Sequence, residues 1–117
     1  MEKIQVLKVA PLCEPEIVTI TDTLETWQKE VGGYIECCYP FDDPVCIVCN
    51  EESKLIGLPP NRMIFDERGR PFDVIYGTFF IIYLLNEEGE DDGGFYSLPP
   101  ELLQKYKKRY EYIEIFV

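Results

Sequence analysis

Short stretches of alternating or continuous apolar residues run along most of the chain, and Pro, Gly, Asn and Asp residues separate them. This spacing is typical of β-strands joined by turns. The run at 45–49 carries no charge, so we expect it to lie in the middle of a sheet with both faces covered. The predicted strands are residues 4–9, 16–20, 34–39, 45–49, 63–65, 73–76, 78–85 and 112–117.

Two segments have the helical spacing of apolar residues instead. In the first, Asp22 and Glu25 have the spacing of a capping box, and the glycines that follow Val31 favour a left-handed helix end. The second begins at the proline pair before Glu101, because proline suits the first helical turn. The pattern therefore predicts helices at about 22–31 and 100–110. In the first predicted helix, Leu24, Trp27 and Val31 form one apolar face.

These elements predict one α+β domain over residues 1–117, with a mainly antiparallel or mixed β-sheet and two helices. The strands at 4–9 and 16–20 are expected to pair as a hairpin, and so are those that flank the loop at 66–71. Residues 55–62 contain Gly and Pro and are expected to be irregular. Residues 86–94 hold five acidic residues and three glycines, which predicts a solvated, mobile loop.

The charge balance restricts the possible partners. The chain has 22 acidic and 11 basic residues, a net charge of -11. Direct binding of DNA or RNA is therefore not expected, because such affinity is built from Lys and Arg on phosphate.

There is no histidine, which excludes Ser–His and Cys–His catalysis and His-ligated metal sites within one chain. We expect a protein that is not an enzyme.

The predicted location is the cytoplasm. The first residues lack the apolar stretch of a signal peptide, and the longest strongly apolar run, 79–85, is seven residues long. A membrane-spanning helix needs about 20, so no membrane segment is expected. The cysteine count is odd, at five, which favours reduced thiols in a reducing compartment.

Four cysteines lie close together in sequence: Cys37, Cys38, Cys46 and Cys49. Four thiolates can bind zinc, and this is the remote alternative. Positions i and i+3 of a strand point to opposite faces, so Cys46 and Cys49 are expected to diverge. Free cysteine also packs as a small hydrophobic residue. We expect packing thiols, with no metal and no cofactor.

A second chemical pattern is Asp42 followed by Glu52 and Lys54. It resembles the carboxylates and lysine of metal-dependent nucleases, in which the carboxylates hold a cation. Here Glu52 and Lys54 lie in a polar stretch beyond a predicted strand. A charged turn is the preferred interpretation, and a nuclease is the less favoured one.

Several motifs together resemble a known family. They are VGGYIE at 31–36, NEESKLIGLPPNR at 50–62, IYGTF at 75–79, and Ser97-Leu98 before the second helix. The chain is similar to the family called domain of unknown function 3846. The resemblance implies a context rather than a reaction, because the family occurs largely in Gram-positive bacteria, their phages and mobile elements. A small acidic protein there is expected to be an accessory or anti-defence factor.

Three polar residues of the central motif, Asn50, Asn61 and Arg62, are the candidate binding residues. The alternative for Arg62 is an ion pair with an acidic neighbour, at Glu51, Glu52 or Asp66.

The leading hypothesis is a non-enzymatic acidic protein that binds a protein partner, such as a basic nucleic-acid-binding host protein, by imitating DNA phosphates. The alternative is a structural or regulatory module that forms a homo-oligomer through an edge strand at 112–117.

Overall fold

The computed structural model describes residues 2–116. The strands and helices run in chain order as β1 (Lys3–Val9), β2 (Glu16–Thr21), α1 (Leu24–Val31), β3 (Ile35–Cys38), β4 (Val45–Asn50), β5 (Pro60–Phe65), β6 (Pro71–Tyr76), β7 (Phe79–Leu85), β8 (Asp91–Tyr96) and α2 (Pro100–Arg109). All the strand pairs are antiparallel, so the predicted α+β class is confirmed.

The main sheet has the order β2-β1-β7-β4-β3, and β8 also pairs with β7. The first residues of β7 pair with β1, and its last residues pair with β8. The backbone of Leu98 donates to the carbonyl of Gln5 at 2.9 Å, which fastens the end of β8 to β1. The predicted β1–β2 hairpin is confirmed.

Both faces of this sheet are covered. On one face Trp27 of α1 packs edge-on against Phe80 and Phe95, with ring centroids 5.3 and 5.6 Å apart. On the other face lie α2 and the separate β5–β6 hairpin, which contributes Ile64 and Ile75. All six residues of β4 are buried, as the absence of charge predicted.

The start of α1 differs from the predicted capping box. Thr23 is the N-cap, and its hydroxyl accepts a hydrogen bond from the backbone of Thr26 at 3.2 Å. Asp22 accepts instead from the indole nitrogen of Trp27 at 2.9 Å, which satisfies the one polar atom of a buried ring. Leu24 is exposed and does not belong to the buried face. Gly32 ends the helix with a φ of 83°, as expected.

The second helix has the predicted limits and a buried face of Leu103, Tyr106 and Tyr110. The hydroxyl of Tyr106 and the ammonium of Lys105 both donate to Asp43, at 2.7 and 2.6 Å. This fixes the turn before β4 to α2. Neither helix has the length and apolar character needed to cross a bilayer, within the residues described.

Three predictions about loops and termini are wrong. Residues 86–94 are not a single loop, because residues 91–94 belong to β8, which pairs with β7, and only 86–90 form the exposed turn. Asn61 and Arg62 lie in strand β5 rather than in an irregular segment. Residues 112–116 form no strand, and residue 117 lies outside the described part. The backbone of Met63 in β5 donates to the side-chain carboxylate of Glu114 at 3.0 Å, so the segment lies beside β5 without forming a backbone ladder with it. Apolar alternation alone did not make a strand.

Gly77 joins β6 to β7 and allows a matched test of backbone conformation. It has a φ of 78°, and a Cβ at this position would lie 2.7 Å from Cδ1 of Leu58. Gly69 has a φ of 76° with open space around it. In both alanine variants the left-handed backbone conformation lowers the free energy of unfolding by about 1 kcal/mol. We expect Gly77→Ala to lose about 1 kcal/mol more than Gly69→Ala in urea unfolding, because Leu58 must move. Equal losses would contradict this.

Candidate functional site

Arg62 is fully buried and links three parts of the fold. Its Nη2 donates to the carbonyls of Cys13 at 2.7 Å and Tyr110 at 3.0 Å, and its Nε donates to Tyr110 at 3.3 Å. Its Nη1 donates to Oδ1 of Asn61 at 2.7 Å. The guanidinium therefore ties the β1–β2 turn and the end of α2 to β5.

The two candidate asparagines are also buried and use their amides within the protein. Nδ2 of Asn61 donates to the carbonyls of Val9 at 2.9 Å and Gly77 at 2.8 Å. Nδ2 of Asn50 donates to Val31 at 3.1 Å, where α1 ends. Each side chain thus satisfies backbone carbonyls at the ends of helices or strands.

The alternative interpretation of Arg62, an ion pair with Glu51, Glu52 or Asp66, is wrong. Among the described residues no carboxylate hydrogen-bonds to the guanidinium. Burial lowers the pKa of Arg62, and the negative charge of Glu114 opposes this effect. The role of the three residues in binding stays a prediction. Asn50 borders one cleft, next to the turn after β4. Arg62 borders a second open cleft.

That cleft, which we name the Tyr110 cleft, has a volume of about 530 Å³ between β5 and the chain after α2. Among the atoms on its walls, the hydroxyl of Tyr110 and Oε1 of Glu67 are buried without a hydrogen-bond partner. Arg109 lies 3.5 Å from the other oxygen of Glu67. Burial raises the pKa of Tyr110. The cleft offers hydrogen bonds to a small polar group but contains no activated nucleophile among its described residues.

The turn between β7 and β8, with the acids that follow it, forms an ordered acidic hairpin at residues 86–92. Oδ1 of Asn86 accepts hydrogen bonds from the backbone of Glu88 at 3.0 Å and Glu90 at 2.9 Å. Side chains of this type stabilise turns by such local bonds. No acidic residue of the hairpin forms an ion pair within the described range. Its exposed carboxylates are those of Glu87, Glu88, Glu90, Asp91 and Asp92.

One carboxylate of the hairpin is held by its neighbours. Oδ2 of Asp92 accepts from the hydroxyl of Tyr96 at 2.5 Å, and Oδ1 accepts from the backbone of Gly94 at 2.9 Å. The Tyr96 hydroxyl is the main cause of the lowered pKa of Asp92, and the same bond raises the pKa of Tyr96 to about 12. Asp92 therefore remains charged at neutral pH.

The acidic hairpin and the start of β1 enclose an open cleft of about 600 Å³, which we name the acidic cleft. Four carboxylate residues line it, and Lys3 is the one basic residue among its described lining residues. An amine or guanidinium that enters the cleft is surrounded by several carboxylates, most of them from the acidic hairpin. The four acidic residues are Glu2, Glu87, Glu88 and Asp92.

The four clustered cysteines separate onto two faces of the sheet, and all are free thiols. Cys46 lies in the core beneath α1, and Cys49 lies in the opposite core beneath α2, so the predicted divergence is confirmed. Cys37 packs against the first core and Cys38 against the second. A site that uses all four sulfurs would require them on one face, which this sheet does not provide.

The residues of the nuclease pattern face different clefts. Lys54 and Glu52 lie in the turn after β4, and Nζ of Lys54 is 2.7 Å from Oδ1 of Asp73. Asp42 lines a separate cleft with residues of the β5–β6 turn. The structure does not bring these three side chains to a common cation.

Comparison with known protein families assigns the chain to one of them. Residues 4–111 match a protein family described as Domain of unknown function (DUF3846). The chain belongs to this family. The matched range runs from inside β1 to just beyond α2, so the DUF3846 region includes the Arg62 bonds, both cysteine pairs and the acidic hairpin. No curated protein and no solved structure matches the chain.

Arg62 is expected to stabilise the DUF3846 fold. Arg62→Met removes the donors to two backbone carbonyls and to Asn61, and it leaves buried acceptors without partners. We expect a loss of about 3 kcal/mol in urea unfolding. Arg68→Met, at an exposed arginine of the same hairpin, is the matched control and is expected to change stability by less than about 0.5 kcal/mol. A loss at Arg62 as small as the loss at Arg68 would contradict this role.

The Tyr96–Asp92 bond predicts a pH effect. In Tyr96→Phe the carboxylate loses its strongest donor, so we expect the pKa of Asp92 to rise towards its ordinary value. At pH values above the pKa that Asp92 has in the unfolded chain, its lowered pKa in the native protein stabilises the fold. This contribution disappears as the pH falls through the pKa of Asp92 in the folded protein. Titration by NMR measures the shift. Tyr34→Phe, at an exposed tyrosine, should leave Asp92 unchanged, and an unshifted Asp92 in Tyr96→Phe would refute the assignment.

Proposed function

We propose that this protein is a non-enzymatic binding protein whose acidic hairpin engages a basic protein partner. The observation that carries the proposal is the acidic cleft, in which four carboxylate residues line a cavity of about 600 Å³. An inserted Lys or Arg side chain gains charge-assisted hydrogen bonds from such a wall.

The order of the hairpin supports this proposal. A mobile acidic loop would lose conformational entropy on binding, but Asn86 already holds the turn through two backbone hydrogen bonds. The carboxylates of Glu87, Glu88 and Glu90 remain exposed and without a cation among the described residues. Binding would therefore require little rearrangement and would break no ion pair there.

Charge favours one class of partner. The net charge of -11 attracts a protein with a basic groove and accelerates the encounter at low ionic strength. Nucleic-acid-binding proteins carry such grooves, and carboxylates on a rigid turn can occupy positions meant for phosphates. In this proposal the protein is a cytoplasmic accessory factor of a phage or mobile element, and it inhibits a basic host defence protein.

The two alternatives have less support. The homo-oligomer was expected to form through a strand at 112–117, and residues 112–116 form none. The nuclease required Asp42, Glu52 and Lys54 together, and these residues line different clefts.

The proposal can be tested by competition with DNA. A fluorescent DNA duplex is bound to each of two purified basic proteins, a restriction endonuclease and a nucleoid-associated protein, and this protein is added as competitor. We expect displacement that weakens as salt is raised. The combined variant Glu87→Gln, Glu88→Gln and Glu90→Gln should compete at least about 10-fold less well, since a preorganised set of charges is lost.

A matched variant separates position from total charge. Glu14→Gln, Glu16→Gln and Glu111→Gln remove three exposed carboxylates away from the hairpin. This variant should compete almost as well as the native protein. Equal weakening by both variants, or no displacement from either basic protein, would overturn the proposal.

A further inference from the structure

The structure brings together three potential metal ligands that are only two and thirteen residues apart in sequence. We propose that Glu36, Cys38 and Cys49 form a binding site for a thiophilic divalent cation of the zinc class. One carboxylate oxygen and the two sulfurs all lie within 4.8 Å of one another. The site is separate from the acidic hairpin and does not depend on its proposed function.

The strand register creates this cluster. Glu36 of β3 is paired directly with Cys49 of β4. Cys38 lies two residues after Glu36, and side chains two apart share a face of the sheet. All three groups therefore point to the same side of the sheet.

The distances suit a small tetrahedral ion. Two ligands on tetrahedral zinc lie about 3.5 to 3.8 Å apart, given zinc–sulfur and zinc–oxygen bonds of about 2.3 and 2.0 Å. Sγ of Cys38 is already 3.3 Å from Oε1 of Glu36. The remaining separations, at most 4.8 Å, need to shorten by about 1 Å. Side-chain rotation can supply this, because β3 is an edge strand with an exposed Glu36 and a half-buried Cys38.

The fourth position is open to solvent. Glu36 and Cys49 border a cleft of about 390 Å³, so water can complete the coordination. Two sulfur ligands favour zinc and similar ions over magnesium and calcium, which prefer oxygen.

Protons compete with the metal at these sulfurs. Each thiol that coordinates must release its proton to the buffer, so affinity should increase with pH.

The opposite face of the same two strands provides an internal control. Cys37 and Cys46 lie there as a second pair of thiols, and Cys46 is fully buried in the core beneath α1. No carboxylate or third thiol completes a cluster with them among the described residues. The proposal therefore predicts metal binding by one cysteine pair and not by the other.

The experiment titrates Co²⁺ and Zn²⁺ into the reduced, chelator-treated full chain. Tetrahedral cobalt with thiolate ligands shows an ultraviolet charge-transfer band and intense visible bands, which we expect to saturate at one equivalent. Zinc should displace the cobalt and raise the thermal midpoint. Cys38→Ser and Cys49→Ser should each weaken zinc binding, measured by competition with a chromophoric chelator, by more than about 100-fold. Removing a residue that only hydrogen-bonds to a metal ligand already lowers metal affinity by about 10- to 100-fold, so removing a ligand should lower it more.

The controls make the result decisive. Cys37→Ser and Cys13→Ser should keep the cobalt spectrum and the zinc affinity of the native protein. Because Cys49 is buried and its substitution can prevent folding, circular dichroism accompanies each titration, and Cys38→Ser at the half-buried position decides the outcome. The proposal is overturned if the folded, fully reduced protein shows no charge-transfer band at one equivalent. It is also overturned if Cys37→Ser loses the band to the same extent as Cys38→Ser.

Discussion

Strand β7 pairs with three strands and has apolar side chains on both faces, and this constraint organises the rest of the fold. Phe79 and Ile81 point into one core, while Phe80 and Ile82 point into the other. A strand of this kind is stable only if both faces are removed from water, so one layer must cover each side. Helix α1 covers one face, and α2 with the β5–β6 hairpin covers the other.

The second layer is not held by apolar contact alone. The β5–β6 hairpin belongs to no larger sheet, and buried polar groups connect it to the main body. Arg62 and Asn61 donate to backbone carbonyls of β1, the β1–β2 turn and the end of α2. Such bonds fix one position of the hairpin, because a displaced hairpin would leave a buried charge and several carbonyls without partners. We interpret the polar residues of the central motif as groups that position these layers.

The two proposed sites lie towards the margins of the main sheet. The acidic hairpin extends beyond the part of β7 that pairs with β1, and the Glu36–Cys38–Cys49 cluster spans the edge strand β3 and its neighbour β4. The two surfaces share no residue and differ in chemistry, since one presents hard, exposed carboxylates and the other two sulfurs and one oxygen. A protein without histidine can still offer both kinds of site.

Local sequence pattern was sufficient for much of the fold. Residues 45–49 predicted a buried strand, and Pro100 and Gly32 marked helix ends, because these depend on side chains close together in the chain. The acidic segment at 86–94 is a loop only in part, since pairing with β7 places residues 91–94 in β8 despite their composition. The alternation at 112–117 predicts a strand, but its described part, residues 112–116, forms none, because alternation needs a partner strand to become a ladder.

The candidate sites depended most on tertiary structure. The sequence by itself determined the net charge, the absence of histidine, the divergence of Cys46 from Cys49 and membership of the family. Only the fold decided that Arg62 is enclosed by carbonyls and that Cys49 meets Glu36 and Cys38 across two strands. The physical reason is that burial and cross-strand register arise from contacts between residues distant in sequence, and no local spacing encodes them.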